Sequence, residues 1–339
     1  MKAFICSCAG TQLSEAERTF FREARPFGFI LFARNIDNPQ QVRDLVEDFR
    51  TCVDRPDAPV FIDQEGGRVQ RLRPPHWRAY PPAARYGTLF DHDPLAALRA
   101  CRNVHRLLAR ELKQLGINAD CLPVLDVPVP GSHEIIGDRA FHDSPQTAAL
   151  LASTAIAGLR AEGVAPVIKH IPGHGRAGAD SHEELPVVDA SLNELRAHDF
   201  LPFAALADAP MAMTAHVIYS AIDARRPATT SAIVIQDIIR GELGFDGLLM
   251  SDDLNMQALS GPLGRRAEMA LAAGCDVVLH CSGRLEEMRE VAAACPELGG
   301  DALPRANEAM RAANAQPQPF PDMKQAEEWL ARLLVDASS

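Results

Sequence analysis

The chain has 339 residues, 47% apolar and 23% charged, and 34 Lys+Arg against 45 Asp+Glu leave a formal charge of −11. That is a globular composition, which excludes long disorder and fibrous repeats. Without a basic footprint it argues against a nucleic-acid or anionic-membrane binder, though not against a small anionic ligand held by a few arginines.

Short apolar runs alternate with amphipathic stretches. A strand is predicted over 3–8, then a helix over 14–24 opened by Ser14 with Glu17 three residues on, the pattern of a capping box. Strand 28–32 and helix 39–50 follow, then strand 59–63 and a loop rich in Arg and Pro to about Asp91. Helix 94–115 ends at Gly116, the next strand lies within 117–125, and a loop over 126–143 leads to helix 145–162. Strand 164–170 runs into a loop over 171–188 and a helix over 192–206. Strand 211–216, helix 231–241, strand 247–252, helix 264–273, strand 275–280 and helix 284–294 complete the alternation. Two more helices, over about 302–313 and 324–335, close the chain.

About eight strand–helix units of this length fit a closed α/β (β/α)8 barrel. Runs such as 164–168 are apolar on both faces, as strands of a helix-covered parallel sheet must be. An open doubly wound sheet is the other arrangement, weakened because no G-x-G-x-x-G follows the first strand and no Walker A motif occurs. One catalytic domain over 1–339 is expected, with the helices from about 300 onward packed on the barrel. The eight cysteines have irregular spacing and no CxxC pair, which reads as reduced thiols rather than a disulfide frame or structural zinc. No run approaches the ~18 apolar residues of a membrane span. The apolar start over 3–9 turns polar too soon for a signal peptide. A cytoplasmic location is expected.

In such a barrel the carboxyl ends of the strands build the active site. Asp63 begins the run Asp63-Gln64-Glu65-Gly66-Gly67-Arg68-Val69-Gln70-Arg71. Strand four leads through Asp126 to Gly137-Asp138-Arg139, and strand five ends in Lys169-His170 before Pro172-Gly173-His174-Gly175. His216, Asp252 and His280 end strands six, seven and eight. A single rim histidine is usually structural. Charged and imidazole groups after at least five strands are not explained that way. Two features are sharper. Asp180-x-His182 in a Gly-rich loop can form a His–Asp dyad for proton transfer. Ser251-Asp252-Asp253 puts a carboxylate at a strand end, where it can act as a nucleophile or as a helix N-cap.

Together these stretches resemble the family 3 glycoside hydrolases, and within them the bacterial β-N-acetylglucosaminidases of the NagZ type. The matching segments are Phe61 to Arg71, Lys169-His170-Ile171-Pro172-Gly173-His174-Gly175 with Asp180-Ser181-His182, Met250-Ser251-Asp252-Asp253-Leu254-x-Met256, and Gly28 to Asn35. The likeness runs from about Gly28 to Gly283. The first strand lacks the acidic and glycine pattern of the family. The resemblance implies a TIM-like barrel with Asp252 as nucleophile and His182 as general acid/base paired with Asp180. It implies sugar contacts from Asp63, Arg71, Arg139, Lys169 and His170. The implied reaction removes a terminal β-linked N-acetylglucosamine with retention, and in peptidoglycan recycling the substrate is GlcNAc joined to 1,6-anhydro-N-acetylmuramic acid, with or without peptide. No metal and no cofactor is expected. Beyond this muropeptide or amino-sugar substrate no nucleic acid or membrane partner is expected, and a monomer is. Histidine suits the acid/base role because its ordinary pKa of ~6.5 permits proton donation and return near neutrality.

Three alternatives remain. A metal-dependent barrel hydrolase would use His170, His174, His182, His216 and Asp252 as ligands, but lacks the usual H-x-H after the first strand. A non-catalytic sugar-binding barrel would lose Asp252 or His182. A phosphorylase of the same family would use phosphate in place of water.

Overall fold

The structure is a computed structural model that describes residues 1–181 and 183–335. Eight parallel strands close into a barrel: β1 (Lys2–Cys6), β2 (Pro26–Leu31), β3 (Val60–Ile62), β4 (Ala119–Asp120), β5 (Ala165–Ile171), β6 (Met211–Thr214), β7 (Leu248–Asp253) and β8 (Val277–His280). They pair in chain order, and β1 joins β8 through Phe4↔Val278, Ile5↔Leu279 and Cys6↔His280. The α/β barrel expected from the sequence is the fold found.

Strand periodicity sorts the residues. Ala165 and Val167, Met211 and Met213, Leu248 and Met250, and Val277 and Leu279 fill the barrel interior with Ile5, Phe27 and Phe61. The intervening residues, such as Phe29, Ile168, Leu249 and Val278, pack outward against the helices. With side chains alternating every residue, Lys169 continues the inward row of β5 and Asp252 that of β7. Both thus stand over the apolar plug at the carboxyl end.

The helices are set by their caps. In α1 (Glu15–Ala24) Ser14 and Glu17 form the capping box expected from the sequence. Asn38 caps α2 (Pro39–Val53), and α3 (Ala84–His92) and α4 (Pro94–Gln114) follow, with Asp93 capping α4. Ser144 caps α5 (Pro145–Ala161). At the amino end of the barrel, α10 (Ala302–Ala313) lays Ala306, Ala309 and Ala313 against the interior residues. These small side chains let the helix close that end. The final helix (Met323–Val335) packs on α4, and Arg106 on α4 ties down the connection by donating to Glu162, Gln318 O and Pro319 O. Helix α10 thus rests on the barrel interior and the final helix on α4.

Several elements differ in detail from the sequence reading. The fourth strand is only two residues long, because the Leu122 N–H turns back to the Asp120 carbonyl at 2.8 Å, although bonds to β5 continue as far as Leu125. The stretch to Asp91 is not all loop: Gln64–Gly66 pairs antiparallel with Val69–Gln70, and α3 follows. The helix expected over 192–206 is two, α6 (Leu192–Ala197) and α7 (Leu201–Ala205), because Pro202 cannot continue the ladder from α6. The helix expected over 231–241 is a π-helix, Val234–Glu242. Within 171–188, Val187–Val188 pairs with Ile218–Tyr219. Two further helices, α8 (Leu263–Ala273) and α9 (Leu285–Ala294), flank β8. All eight cysteines are free. Among the described residues no helix is long and apolar enough to cross a membrane.

Candidate active site

At the carboxyl end of the barrel a pocket of about 210 Å³ opens over Met213 and Leu279. One wall is an ion-paired lattice. Asp63 Oδ1 accepts from Lys169 Nζ at 2.9 Å and Asp63 Oδ2 from Arg71 Nη2 at 3.0 Å. Glu65 lies 2.7 Å from the same Lys169 Nζ and takes Arg139 in a two-pronged bond of 2.8 and 2.9 Å. Asp63 and Glu65 follow Phe61 at two-residue intervals and so share its face. Burial would raise both carboxyls, but the cations beside them prevail: Lys169 and Arg71 hold Asp63 well below its usual range, and Arg139 and Lys169 hold Glu65 at about 2. Burial would likewise discharge Lys169, yet Asp63 and Glu65 keep its ammonium charged. The result is a rigid row of alternating charges whose remaining lone pairs and N–H groups can grip hydroxyls.

The second wall is built on Asp126. Its Oδ2 accepts from His170 Nδ1 at 2.6 Å, and its Oδ1 from the backbone N–H groups of His170 and His174 at 3.2 and 2.7 Å. Burial disfavours this carboxylate, but His170 and the amide donors bring it to about 2. With Nδ1 so fixed, His170 Nε2 points to Asp252 Oδ2 at 4.0 Å. Asp252 Oδ1 accepts from the Asp253 amide at 2.8 Å, and its side chain is 16% exposed at the pocket. The Asp253 carboxylate braces β7 against β8, its Oδ1 accepting from the Asn255 and Cys281 amides at 3.1 and 3.0 Å. Burial, reinforced by Asp252, raises Asp253 to about 6.

Asp63, Arg71, Arg139, Lys169, His170 and Asp252 thus line one cavity. Asp180 is half-buried on the loop after β5, and Ser181, beside it, also lines the pocket. His182 lies outside the described residues. Glu65 and Asp126 were present in the motifs without an assigned part, and His174 only as a ligand in the metal-dependent alternative. The signal for Glu65 was its two-residue spacing from Asp63. The signal for Asp126 was that β4 and β5 are neighbours, so the residue after one strand reaches the histidine ending the other. Arg68 reaches over the rim to Asp138 and to the carbonyls of Glu134, Ile135 and Ile136, and so steadies the segment that carries Arg139.

Several histidine ring nitrogens at the site are spent on contacts within the protein. His170 uses Nδ1 on Asp126, His174 bonds Ser181 through Nε2, and His216 bonds Thr229 and the Asp253 carbonyl through its two nitrogens. Among the described residues no group of three or more His, Cys, Asp or Glu is arranged to hold a metal ion.

A barrel with a carboxylate standing among ion pairs that can grip hydroxyls is an arrangement suited to cleaving carbohydrates. Comparison with known proteins agrees: residues 9–307 match the glycosyl hydrolase family 3 N-terminal domain, and the chain belongs to glycoside hydrolase family 3. A beta-hexosaminidase of Alkalilimnicola ehrlichii is 44% identical over 277 residues, covering 80% of this chain and 78% of that protein. One from Pseudomonas aeruginosa is 43% identical over 285 residues, 83% of each. The crystal structure of NagZ from Neisseria gonorrhoeae in complex with N-trifluoroacetyl-D-glucosamine superposes with a TM-score of 0.87 at 33% identity, over 98% of this chain and 97% of that one.

Proposed function

We infer that this chain is a β-N-acetylhexosaminidase, and propose that it releases terminal N-acetylglucosamine with retention through a glycosyl-enzyme on Asp252. The observation that carries the mechanism is the placement of Asp252 at the end of β7, with an open approach from the pocket and with His170 held 4.0 Å away. Retention requires a carboxylate that attacks the anomeric carbon and a second group that protonates the departing oxygen, then deprotonates water. Asp252 supplies the first. His182 supplies the second, with Asp180 holding positive charge on its ring during the first step. A histidine in this role spares the intermediate a second anionic carboxylate nearby.

Asp63, Arg71, Arg139, Lys169 and His170 hold the sugar, their charges making the stronger hydrogen bonds to its hydroxyls. The N. gonorrhoeae relative was captured with an N-acylated glucosamine, which supports an amino sugar in the pocket here. The natural substrate on this reading is GlcNAc linked to 1,6-anhydro-N-acetylmuramic acid, with or without peptide, in cytoplasmic peptidoglycan recycling, handled by one catalytic domain. Aryl β-N-acetylglucosaminide set beside the matching β-glucoside tests the sugar. The account expects the first to be cleaved far faster, and equal rates contradict it. Addition of phosphate separates hydrolysis from phosphorolysis by the appearance or absence of a sugar 1-phosphate.

A further inference from the structure

We propose that His174 and Ser181 act as a coupled pair of positioning residues for the acid/base, each through its bond to the other. This rests on the reading of His182 given above.

The loop after β5 is held firmly at its root. Gly173 O accepts from Tyr219 Oη at 2.7 Å, the His174 amide donates to Asp126 at 2.7 Å, and Arg176 Nε bonds Asp199 Oδ2 at 2.7 Å. Gly175 is pressed on Val127, where a Cβ would stand 2.0 Å from the Val127 carbonyl oxygen. Only glycine permits that approach.

From this root the His174 ring reaches along the loop to Ser181, its Nε2 3.0 Å from Ser181 Oγ. Both side chains are almost wholly buried, at 3% and 4% exposure. Ser181 stands in the chain between Asp180 and His182. Its carbonyl also receives the Ala258 N–H, at 3.4 Å, from the segment that follows the nucleophile strand. Fixing Ser181 therefore fixes the residue to which both Asp180 and His182 are covalently joined.

The ring makes no other hydrogen bond among the described residues. Its Nδ1 is buried without a partner, while Nε2 serves Ser181. Burial pulls its pKa down to about 4, so the imidazole is neutral near pH 7. A bare ring lone pair costs less to bury than a bare N–H. The favoured tautomer therefore carries its proton on Nε2 and donates it to Ser181. A wedge needed only for packing would be an apolar side chain without this desolvation cost. The single bond that the imidazole makes is the contact that distinguishes it from such a wedge.

The test uses aryl β-N-acetylglucosaminides whose leaving groups range from acidic to weakly acidic phenols. Values of kcat/KM, which report the first chemical step, are measured for wild type, His174→Leu, Ser181→Ala, the double variant, Ser181→Thr and His182→Ala. Misplacing a reacting group by about 1 Å costs ~100-fold. We expect each single variant to lose about 10- to 100-fold on the weakly acidic phenols and under about 3-fold on the most acidic one. The double variant should be no worse than the singles, because the pair shares one bond. Ser181→Thr, which keeps the hydroxyl, should recover most of the loss. Thermal unfolding is followed alongside, and Ser181→Ala removes one oxygen only, so it keeps the proposal testable if His174→Leu misfolds.

Losses that are uniform across the leaving groups, or additive in the double variant, would overturn the proposal. A leaving-group effect in His174→Leu that Ser181→Ala does not share would overturn it too, by giving His174 a part of its own in proton transfer. If His182→Ala shows no leaving-group dependence, the acid/base reading itself fails. If His182→Ala shows it and the other two variants do not, only the positioning fails.

Discussion

Replacing Glu65 by Gln removes one charge from the buried lattice and leaves its shape. Glu65 faces Arg139 at 2.8 and 2.9 Å and Lys169 at 2.7 Å, with its side chain 5% exposed. Burial alone would raise its pKa, but Arg139 and Lys169 bring it from 4.5 to about 2. At ~1.4 kcal/mol per pKa unit, that gap corresponds to about 3 kcal/mol of stability at pH 7. The same magnitude follows from the ~3–5 kcal/mol cost of removing one partner of a buried pair. A carboxyl held below its unfolded value stabilises the fold above the unfolded pKa and loses that contribution as pH falls through the folded one. The deficit of Glu65→Gln should therefore be about 3 kcal/mol at pH 7 and at pH 5, and narrow to about 2 kcal/mol at pH 3.5. Urea unfolding of both proteins at the three pH values measures it. A deficit under about 0.5 kcal/mol at pH 7, or one that does not change with pH, would show that the lattice is screened by solvent.

Further outcomes follow from the same geometry. Asp253, raised to about 6 from 3.8, binds its proton more tightly folded than unfolded, so its contribution to stability falls as pH rises from about 4 to 6. Asp253→Asn keeps the acceptor for the Asn255 and Cys281 amides. It should be more stable than wild type by about 1–3 kcal/mol at pH 8 and no more stable near pH 4, read from unfolding curves. Asp252→Ala should abolish turnover on any β-N-acetylglucosaminide. An active Asp252→Ala beside a dead Asp253→Ala would reverse the two assignments. Arg71→Ala frees one oxygen of Asp63 while Lys169 keeps the other, so kcat/KM should drop about 10- to 100-fold in steady-state assays. Unchanged kinetics would place Arg71 outside the sugar contacts. Asp126→Asn should slow catalysis by a similar factor, because His170 Nδ1 loses its anionic acceptor. A variant with wild-type kcat would show that His170 needs no such support.

The barrel and the placement of Lys169 and Asp252 were legible because both depend on two-residue periodicity within single strands. The capping box at Ser14 was equally local. What escaped notice depends on distant or unmarked features. The bond from Glu65 to Arg139 joins residues 74 apart, across a loop whose path the sequence pattern does not set. Asp126 gained its part only through the neighbour relation of β4 and β5. Helix α3 has Ala83 as its N-cap, which makes no side-chain cap bond, so nothing in the Arg- and Pro-rich stretch announced it. Pro202 did announce a break, but the apolar spacing on both sides of it read as one helix. In the π-helical segment, nine residues are too few for the apolar pattern to separate that period from the α-helical one.

The most direct test of the account is to trap the intermediate. His182→Ala is mixed with an aryl β-N-acetylglucosaminide whose phenol leaves without a proton, then quenched in acid and digested. The first step should proceed and the second stall, giving a burst of one phenol per active site and a peptide containing Asp252 enlarged by one N-acetylglucosaminyl group. A steady release of phenol without a burst, or an adduct on any other residue, would contradict it.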